Sequence, residues 1–154
     1  METRKQKPGT VIKEEEVCVC FNLRKASRVI TQIYDDVMRP LGYRSTQITL
    51  LGVIHKHEEI TVKELAEFID TDPTTLIRNL RVLEKEKLVD LQPGEDRRQR
   101  KIMLTEKGKD LLARAYPLWK KTQDKIASLV GRQRLNQLLD DLSLALENIR
   151  EDKK

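Results

Sequence analysis

The chain has 154 residues, of which 38% are hydrophobic and 36% are charged, and its 30 basic and 25 acidic side chains give a net charge of +5. This length suits one domain with helical extensions, and the small positive charge favours nucleic acid only slightly as a partner. No apolar run could span a bilayer, the N-terminus has no secretory pattern, and two cysteines cannot form a disulfide framework. We therefore expect a protein of the reducing cytoplasm that does not bind membranes.

The first predicted element is a long helix that follows a flexible polar tail at residues 1–13 and ends at Pro40 and Gly42. Apolar side chains recur along it at spacings of three and four, which is typical of an amphipathic helix. They are Cys20, Leu23, Ala26, Ile30, Ile33 and Val37. Such a narrow stripe on a terminal helix often pairs with another helix.

Three shorter helices are predicted next. Ser45 is expected to N-cap a helix that runs to about His57, and Thr61 with Glu64 forms a capping box for the following helix. Asp72 is expected to cap a third helix, whose buried face comprises Leu76, Leu80 and Leu83. The tight polar connection between the last two helices predicts a helix-turn-helix unit.

The hydrophobic period then changes to that of strands. Residues 88–92 and 100–104 are predicted to pair around a turn-rich polar segment at 93–99, which gives a β-hairpin.

Two long helices are expected to complete the chain. Thr105 is expected to cap the first, Pro117 to kink or interrupt it, and Gly131 to end it. The second has a continuous apolar face, formed by Leu135, Leu138, Leu139, Leu142, Ala145, Leu146 and Ile149. The middle of the chain is too small to cover the stripes of both terminal helices.

The predicted fold class is therefore mainly α with a small β-hairpin. A winged helix-turn-helix DNA-binding domain is expected at 43–104. The helical segments at 14–42 and 105–154 are expected to form a dimerisation region, so the partner is a second copy of the chain.

Three motifs occur in the same order as in a known family. The wing has Asp96-Arg97-Arg98 before Ile102-Met103-Leu104-Thr105-Glu106-Lys107-Gly108, the helix-turn-helix has Asp72-Pro73-Thr74-Thr75-Leu76 with Arg78, and Pro40-Leu41-Gly42 lies upstream with Thr46-Gln47. Over residues 17–150 the chain resembles the MarR family of bacterial and archaeal transcriptional regulators. It departs from the family at Lys87, where a Gly usually has a left-handed conformation, and at Ile77, where a Thr is common.

The resemblance implies that the second helix of the helix-turn-helix enters the major groove of double-stranded DNA. Its outward candidates are Thr74, Thr75, Arg78 and Asn79. Arg can read guanine, Asn can read adenine, and Thr hydroxyls or helix N-terminal amides can hold phosphates. The alternative is that these are ordinary solvent-facing helix residues.

The predicted hairpin tip is basic, with Arg97, Arg98 and Arg100. Arginines on a narrow projection suit the negative potential of the minor groove. The resemblance places Arg98 in that groove, with Asp96 positioning it through an ion pair. The alternative is a solvated run of charges. A dimer of this kind would bind a near-palindromic operator with half-sites one helical turn apart.

The segment Cys20-Phe21, with Leu23, Ser27-Arg28, Thr31 and Tyr34, resembles the organic hydroperoxide-sensing branch of the same family. That resemblance implies a reactive thiol at Cys20 and a partner-subunit tyrosine at Tyr34. About 21 Å of helix separates the two positions, so they could meet only across a dimer. The second tyrosine of the branch is replaced by Ser45, with Tyr43 nearby, and Arg24 could favour the thiolate by its charge. The alternative is that Cys20 is a small buried hydrophobe.

The sequence calls for no cofactor and no metal. His55 and His57 suggest zinc, but their spacing fits no standard closed site, and we interpret them as a polar helix end. Met38, Tyr43 and Trp119 could line an apolar ligand pocket or belong to the core.

We therefore expect a dimeric, sequence-specific DNA-binding regulator, a repressor released by a small effector or by thiol oxidation, and not an enzyme. Two alternatives stay open. A thiol peroxidase could use Cys20, although neither His is near it in sequence and no standard catalytic motif is present. A winged-helix protein-interaction module is the other, against which the wing arginines argue.

Overall fold

The computed structural model describes residues 18–94 and 100–152. The helices are α1 (Val19–Met38), α2 (Ser45–His57), α3 (Val62–Phe68), α4 (Pro73–Lys85), α5 (Glu106–Val130) and α6 (Arg132–Glu151), and the strands are β1 (Ile60–Thr61), β2 (Val89–Pro93) and β3 (Arg100–Leu104). A 3-10 turn at Arg39–Leu41 follows α1. This order confirms the mainly helical winged helix-turn-helix fold. No helix in the described ranges is long and apolar enough to cross a membrane.

Side-chain caps fix where three of the helices begin, as predicted. The Thr61 hydroxyl accepts from the Glu64 amide while the Glu64 carboxylate accepts from the Thr61 amide, so the capping box at α3 is complete. Asp72 caps α4 by accepting from the Thr75 amide at 2.9 Å. The Thr105 hydroxyl caps α5 by accepting from the Gly108 amide at 3.1 Å.

The prediction that Ser45 caps α2 is wrong. Ser45 is the first helical residue, and both its amide and its hydroxyl donate to the Asp35 carboxylate on α1, at 2.7 and 2.6 Å. A carboxylate from a neighbouring helix can satisfy a first-turn amide as well as a local side chain can. These bonds also lower the pKa of Asp35, chiefly through the Ser45 hydroxyl.

The sheet has three antiparallel strands in the order β1-β3-β2. The hairpin register pairs Val89 with Leu104 and Pro93 with Arg100. Strand β1, which the sequence analysis missed, pairs Ile60 with the fully buried Ile102. A strand of two residues is too short to show the alternation of apolar and polar side chains that identifies a strand in sequence.

Helix α5 continues through Pro117, so the expected interruption does not occur. Proline removes one helical hydrogen bond, to the carbonyl of Ala113. Both Ala113 and Pro117 are exposed, so water can solvate that carbonyl. Buried Ala115 and Thr122 pack the helix on either side of the proline.

The hydrophobic core lies under the helix-turn-helix and the sheet. Its most completely buried side chains include Leu51, Ile54, Leu65, Leu76, Leu80, Leu83, Leu88, Ile102 and Leu111. The predicted leucine face of α4 is thus confirmed. The terminal helices differ, because only Met38 is buried on α1 and no residue of Arg132–Glu151 is buried.

Both helices of the helix-turn-helix end in a Schellman motif, in which a left-handed residue turns the chain away. After α3, Asp70 has φ +49° and the Thr71 amide donates to the Ala66 carbonyl at 2.9 Å. After α4, Lys87 has φ +58° and the Leu88 amide donates to the Leu83 carbonyl at 2.9 Å. The left-handed conformation expected at Lys87 is confirmed.

Candidate nucleic-acid interface

Helix α4 separates a buried apolar face from an exposed polar one. Leu76, Leu80 and Leu83 are fully buried, which fixes the rotation of the helix about its axis. The four residues proposed from the sequence, Thr74, Thr75, Arg78 and Asn79, are all exposed. The structure therefore brings these candidates together on one accessible surface near the beginning of α4.

The first turn of α4 has fewer free amides than a helix N-terminus usually offers. Pro73 has no N–H, and the Thr75 N–H is already donated to Asp72. Among Pro73, Thr74 and Thr75, all in the described range, only Thr74 keeps a backbone N–H without an acceptor. A phosphate here would be held by the Thr74 amide and the two threonine hydroxyls.

The turn before α4 is held from two sides. The Schellman bonds close it internally, and the Asp70 carboxylate accepts a hydrogen bond from the Arg150 guanidinium on α6. Both side chains are about half exposed, so the ion pair itself contributes little to stability. It nevertheless links the C-terminal helix to the turn from which α4 begins.

One predicted wing arginine lies within the described residues. Arg100 is exposed at the beginning of β3, where it pairs with Pro93. The neighbouring Lys101 forms an ion pair with Glu59 at 2.9 Å. The other predicted wing residues, Asp96, Arg97 and Arg98, lie outside the described residues.

The candidate effector residues do not form one cluster in the single chain. Cys20 and Arg24 are exposed on the first half of α1, whereas Tyr34 is partly buried near its end. The Tyr34 hydroxyl donates to the Gln123 side chain on α5, and burial raises the pKa of that hydroxyl. Cys18 lies just before α1, and its Sγ accepts from the Phe21 amide at 3.5 Å.

Tyr43 is partly buried and packs against the core to which Met38 belongs. It lines an open cleft with mainly polar side chains: Gln32, Asp35, Asp36, Arg39, Arg44 and Gln47. Met38 is buried in the core, and Trp119 stacks on Tyr116 with ring centroids 5.8 Å apart. In the parts of the chain that the structure describes, no group of three or more His, Cys, Asp or Glu side chains is arranged to hold a metal ion.

Sequence reasoning noted Ile77 only as a departure from the family, and it missed Arg81 and Val82; all three are exposed on α4. The helical period could have found them, because they lie away from the buried leucines. It also missed Gln123 as the partner of Tyr34. A contact between residues 89 positions apart leaves no local sequence signal.

A capped helix-turn-helix followed directly by an antiparallel hairpin defines a winged helix-turn-helix protein. A model of the MarR family matches residues 41–99. The HTH-type transcriptional regulator SarZ of Staphylococcus epidermidis is 32% identical over 94 residues, which cover 60% of this chain. The aligned segment spans 64% of the length of SarZ, slightly less than two thirds.

Solved structures agree with this match. The M. tuberculosis transcriptional regulator MosR, in complex with DNA, is 38% identical with a TM-score of 0.76, over 86% of this chain and 98% of MosR. A mutant of E. coli MarR complexed with operator DNA shares the fold at 19% identity and a TM-score of 0.79, over 86% of this chain and 96% of that one. The chain therefore belongs to the MarR family of winged helix-turn-helix transcriptional regulators.

Proposed function

We propose that this chain regulates transcription by placing α4 in the major groove of double-stranded DNA. The observation that carries the proposal is the division of α4 into a fully buried leucine face and an exposed face with Thr74, Arg78 and Asn79. The similarity to MosR, which was solved with DNA, supports it. DNA lies in the cytoplasm in bacteria and archaea, which is the compartment we propose.

Each exposed residue has a role that follows from its chemistry. Arg78 reads guanine with its two-pronged guanidinium, and Asn79 reads adenine with its amide. Thr74 and Thr75 hold phosphates and so set the register of α4 on the duplex. In the wing, Arg98 enters the minor groove, Asp96 positions it, and Arg97 and Arg100 contact the flanking backbone; this part rests on the family resemblance and on the exposure of Arg100.

We propose that the chain acts as a homodimer through α1 and α6. Both helices expose large apolar side chains in the single chain: Val19, Phe21, Leu23, Val29 and Ile30 on α1, and Leu138, Leu139, Leu144, Leu146 and Ile149 on α6. Contiguous apolar surface of this kind usually marks an interface. Two copies would present two α4 helices to a near-palindromic operator.

The test of DNA binding begins with duplexes selected from a random library by the full chain. Fluorescence anisotropy then compares the selected duplex with a scrambled one over a series of salt concentrations. Arg78→Ala should weaken binding to the selected duplex at least about five-fold, because a bidentate base contact is lost. Arg114→Ala removes the same charge from an exposed position on α5 and should change affinity much less.

Equal affinity for selected and scrambled duplexes would contradict sequence-specific binding. An affinity insensitive to salt would contradict any mode in which phosphates are contacted. Binding to a partner protein without binding to DNA would favour the interaction-module alternative.

We further propose that oxidation of Cys20 releases the DNA. The Cys20 side chain is exposed in the single chain. Residues 14 apart on a helix lie on nearly the same face, so antiparallel packing of two α1 helices would bring Cys20 of one copy toward Tyr34 of the other. If the operator lies where bound protein blocks the promoter, the protein acts as a repressor.

The matched pair Cys20→Ser and Cys18→Ser tests this proposal. Organic hydroperoxide should release wild-type protein and Cys18→Ser from the selected duplex, and dithiothreitol should restore binding. Cys20→Ser should stay bound. Release of Cys20→Ser by peroxide would contradict the role, and repeated turnover of peroxide by the wild type would favour the peroxidase alternative.

A further inference from the structure

After Pro73, which begins α4, Ile77 is the one exposed residue in the first half of the helix whose side chain can neither donate nor accept a hydrogen bond. Its side chain keeps 36% of its surface exposed. It lies in a row with Thr74 three residues before it and Arg81 four residues after it, both exposed. An apolar group therefore interrupts a polar surface that is proposed to face DNA.

The chemistry of the major groove limits what such a group can recognise. Purine and cytosine edges present hydrogen-bond donors and acceptors there, and the C5-methyl group of thymine is the apolar feature. Burying a polar base edge against Ile77 would leave that edge without a hydrogen-bond partner, which is unfavourable. Contact with a methyl group removes apolar surface from water on both sides.

The position of Ile77 in the helix also restricts the motion of its backbone and side chain. It is flanked along the chain by fully buried Leu76 and lies one turn from fully buried Leu80, so the backbone beneath it cannot rotate. The χ1 angle of a β-branched residue has one strongly preferred value in a helix. Ordering this side chain on DNA therefore costs less entropy than ordering a long flexible one.

We propose that Ile77 determines specificity by packing against the C5-methyl group of one thymine in each half-site. This inference rests on the proposed DNA-binding function and adds a base that the arginine and the asparagine do not read. The contact lies beside the guanine assigned to Arg78, since Ile77 and Arg78 are adjacent on the helix.

Deoxyuridine provides the probe, because it differs from thymidine only by the missing methyl group. Each thymine of the selected duplex is replaced by uracil, in both half-sites at once, and anisotropy gives the affinity of the wild type, Ile77→Ala and Val82→Ala. One position should cost the wild type about four-fold for each half-site. Ile77→Ala should bind the thymine and uracil duplexes equally at that position.

Val82→Ala is the matched control, because Val82 is also exposed and apolar but lies on the opposite flank of α4. It should retain the full penalty for uracil. Ile77→Val, which removes one methyl group and preserves the helix, should give an intermediate penalty. Circular dichroism and the melting temperature verify that each variant is folded.

Two outcomes overturn the inference alone. In one, the wild type binds the selected duplex specifically but is indifferent to uracil at every thymine; in the other, Ile77→Ala keeps the uracil penalty. A wild type that binds selected and scrambled duplexes equally overturns the proposed function as well. The two failures are distinguished by the scrambled duplex, which is measured first.

Discussion

Two regions of the molecule differ in how far they bury their apolar side chains. One is the winged lobe, meaning residues 43–94 and 100–104, and the other comprises the terminal helices α1 and α6. In the lobe, leucines such as Leu65, Leu76 and Leu80 are fully buried. On α6, Leu138 keeps 50% and Ile149 keeps 55% of its surface exposed. Burial is the main source of stability, so the lobe is stabilised within one chain whereas the terminal helices depend on what covers them.

Truncating one leucine in each region tests this difference in burial most directly. Leu80→Ala should reduce the free energy of unfolding by about 2–5 kcal/mol, because it leaves a cavity in a fully packed site. Leu139→Ala, at a half-exposed position on α6, should cost the single chain much less. Its effect should appear instead as a weakening of the proposed dimer.

Thermal unfolding at several protein concentrations, together with light scattering, separates these effects. The Leu139→Ala deficit should shrink as the protein is diluted, until both proteins are single chains, since stability gained from association depends on concentration. The Leu80→Ala deficit should be present at every concentration. If Leu139→Ala were destabilising and independent of concentration, α6 would be packed within its own chain and the dimer surface would have to lie elsewhere.

Glycine substitutions test the packing at the edge of the lobe, where α5 contacts the backbone of Leu88. A Cβ at Gly108 would overlap the carbonyl oxygen of Leu88 and lie 3.1 Å from its carbonyl carbon. Neither atom can move without shifting the backbone, so Gly108→Ala should cost about 1–3 kcal/mol of unfolding free energy.

Gly52→Ala is the control for this substitution. A Cβ at Gly52, within α2, would meet only the end of the Leu112 side chain, at 4.0 Å. Alanine should therefore stabilise the helix by about 0.5–1 kcal/mol. Chemical denaturation of both variants measures the two effects, and a neutral Gly108→Ala would show that α5 can slide relative to β2.

Hydrogen bonds from Ser45 to Asp35 connect the lobe to α1. Asp35→Asn replaces the charged acceptor of the Ser45 amide and hydroxyl by a neutral oxygen, and should cost about 1 kcal/mol at pH 7, because hydrogen bonds to charged groups are stronger by about that amount. The folded chain lowers the pKa of Asp35 below its ordinary value of 3.8. The charged form therefore stabilises the fold above that value, and this contribution is lost as the pH falls through the lowered pKa.

Denaturation of the wild type and the variant between pH 7 and pH 2 tests this dependence. The difference in unfolding free energy should be constant near neutrality and vanish at the acidic end. Asp36→Asn is the control, because the ion pair that Asp36 forms with Arg39 is exposed. A gap that persists to pH 2 would mean that the hydrogen bonds do not depend on the charge.

Local signals in the sequence were enough to predict most of the fold. Caps such as Thr61 with Glu64 act within one turn of helix, and the leucine period of α4 identifies its buried face. The failures involve partners that are distant in sequence. Asp35 caps a helix from another element, and β1 exists only because β3 lies beside it.

The candidate site, too, has some features that local sequence signals predict and others that depend on residues distant in sequence. The sequence predicted the exposed polar residues of α4, because one helical face is enough to identify them. It also predicted Asp72 as the cap of α4, which occupies the Thr75 amide, but not that Arg150 on α6 would reach Asp70. Periodicity and caps identify the residues and the free amides of the surface, whereas the ion pair that holds the turn before α4 depends on a tertiary contact.

Lys87 shows where local and tertiary requirements conflict within the lobe. The left-handed backbone conformation of Lys87 costs a residue with a Cβ about 1–2 kcal/mol. The turn is kept because two backbone groups in it form hydrogen bonds. The Leu88 amide donates to the Leu83 carbonyl, and the Lys87 carbonyl accepts from the Thr105 hydroxyl at 2.6 Å. Lys87→Gly should relieve this strain, while the greater freedom of glycine in the unfolded chain offsets part of the gain. We expect a net stabilisation of about 0.5–1 kcal/mol, measured by chemical denaturation. Lys85→Gly, two residues earlier and inside α4, should destabilise by a similar amount, and if both variants were destabilising, the Lys87 side chain would contribute more than its backbone costs.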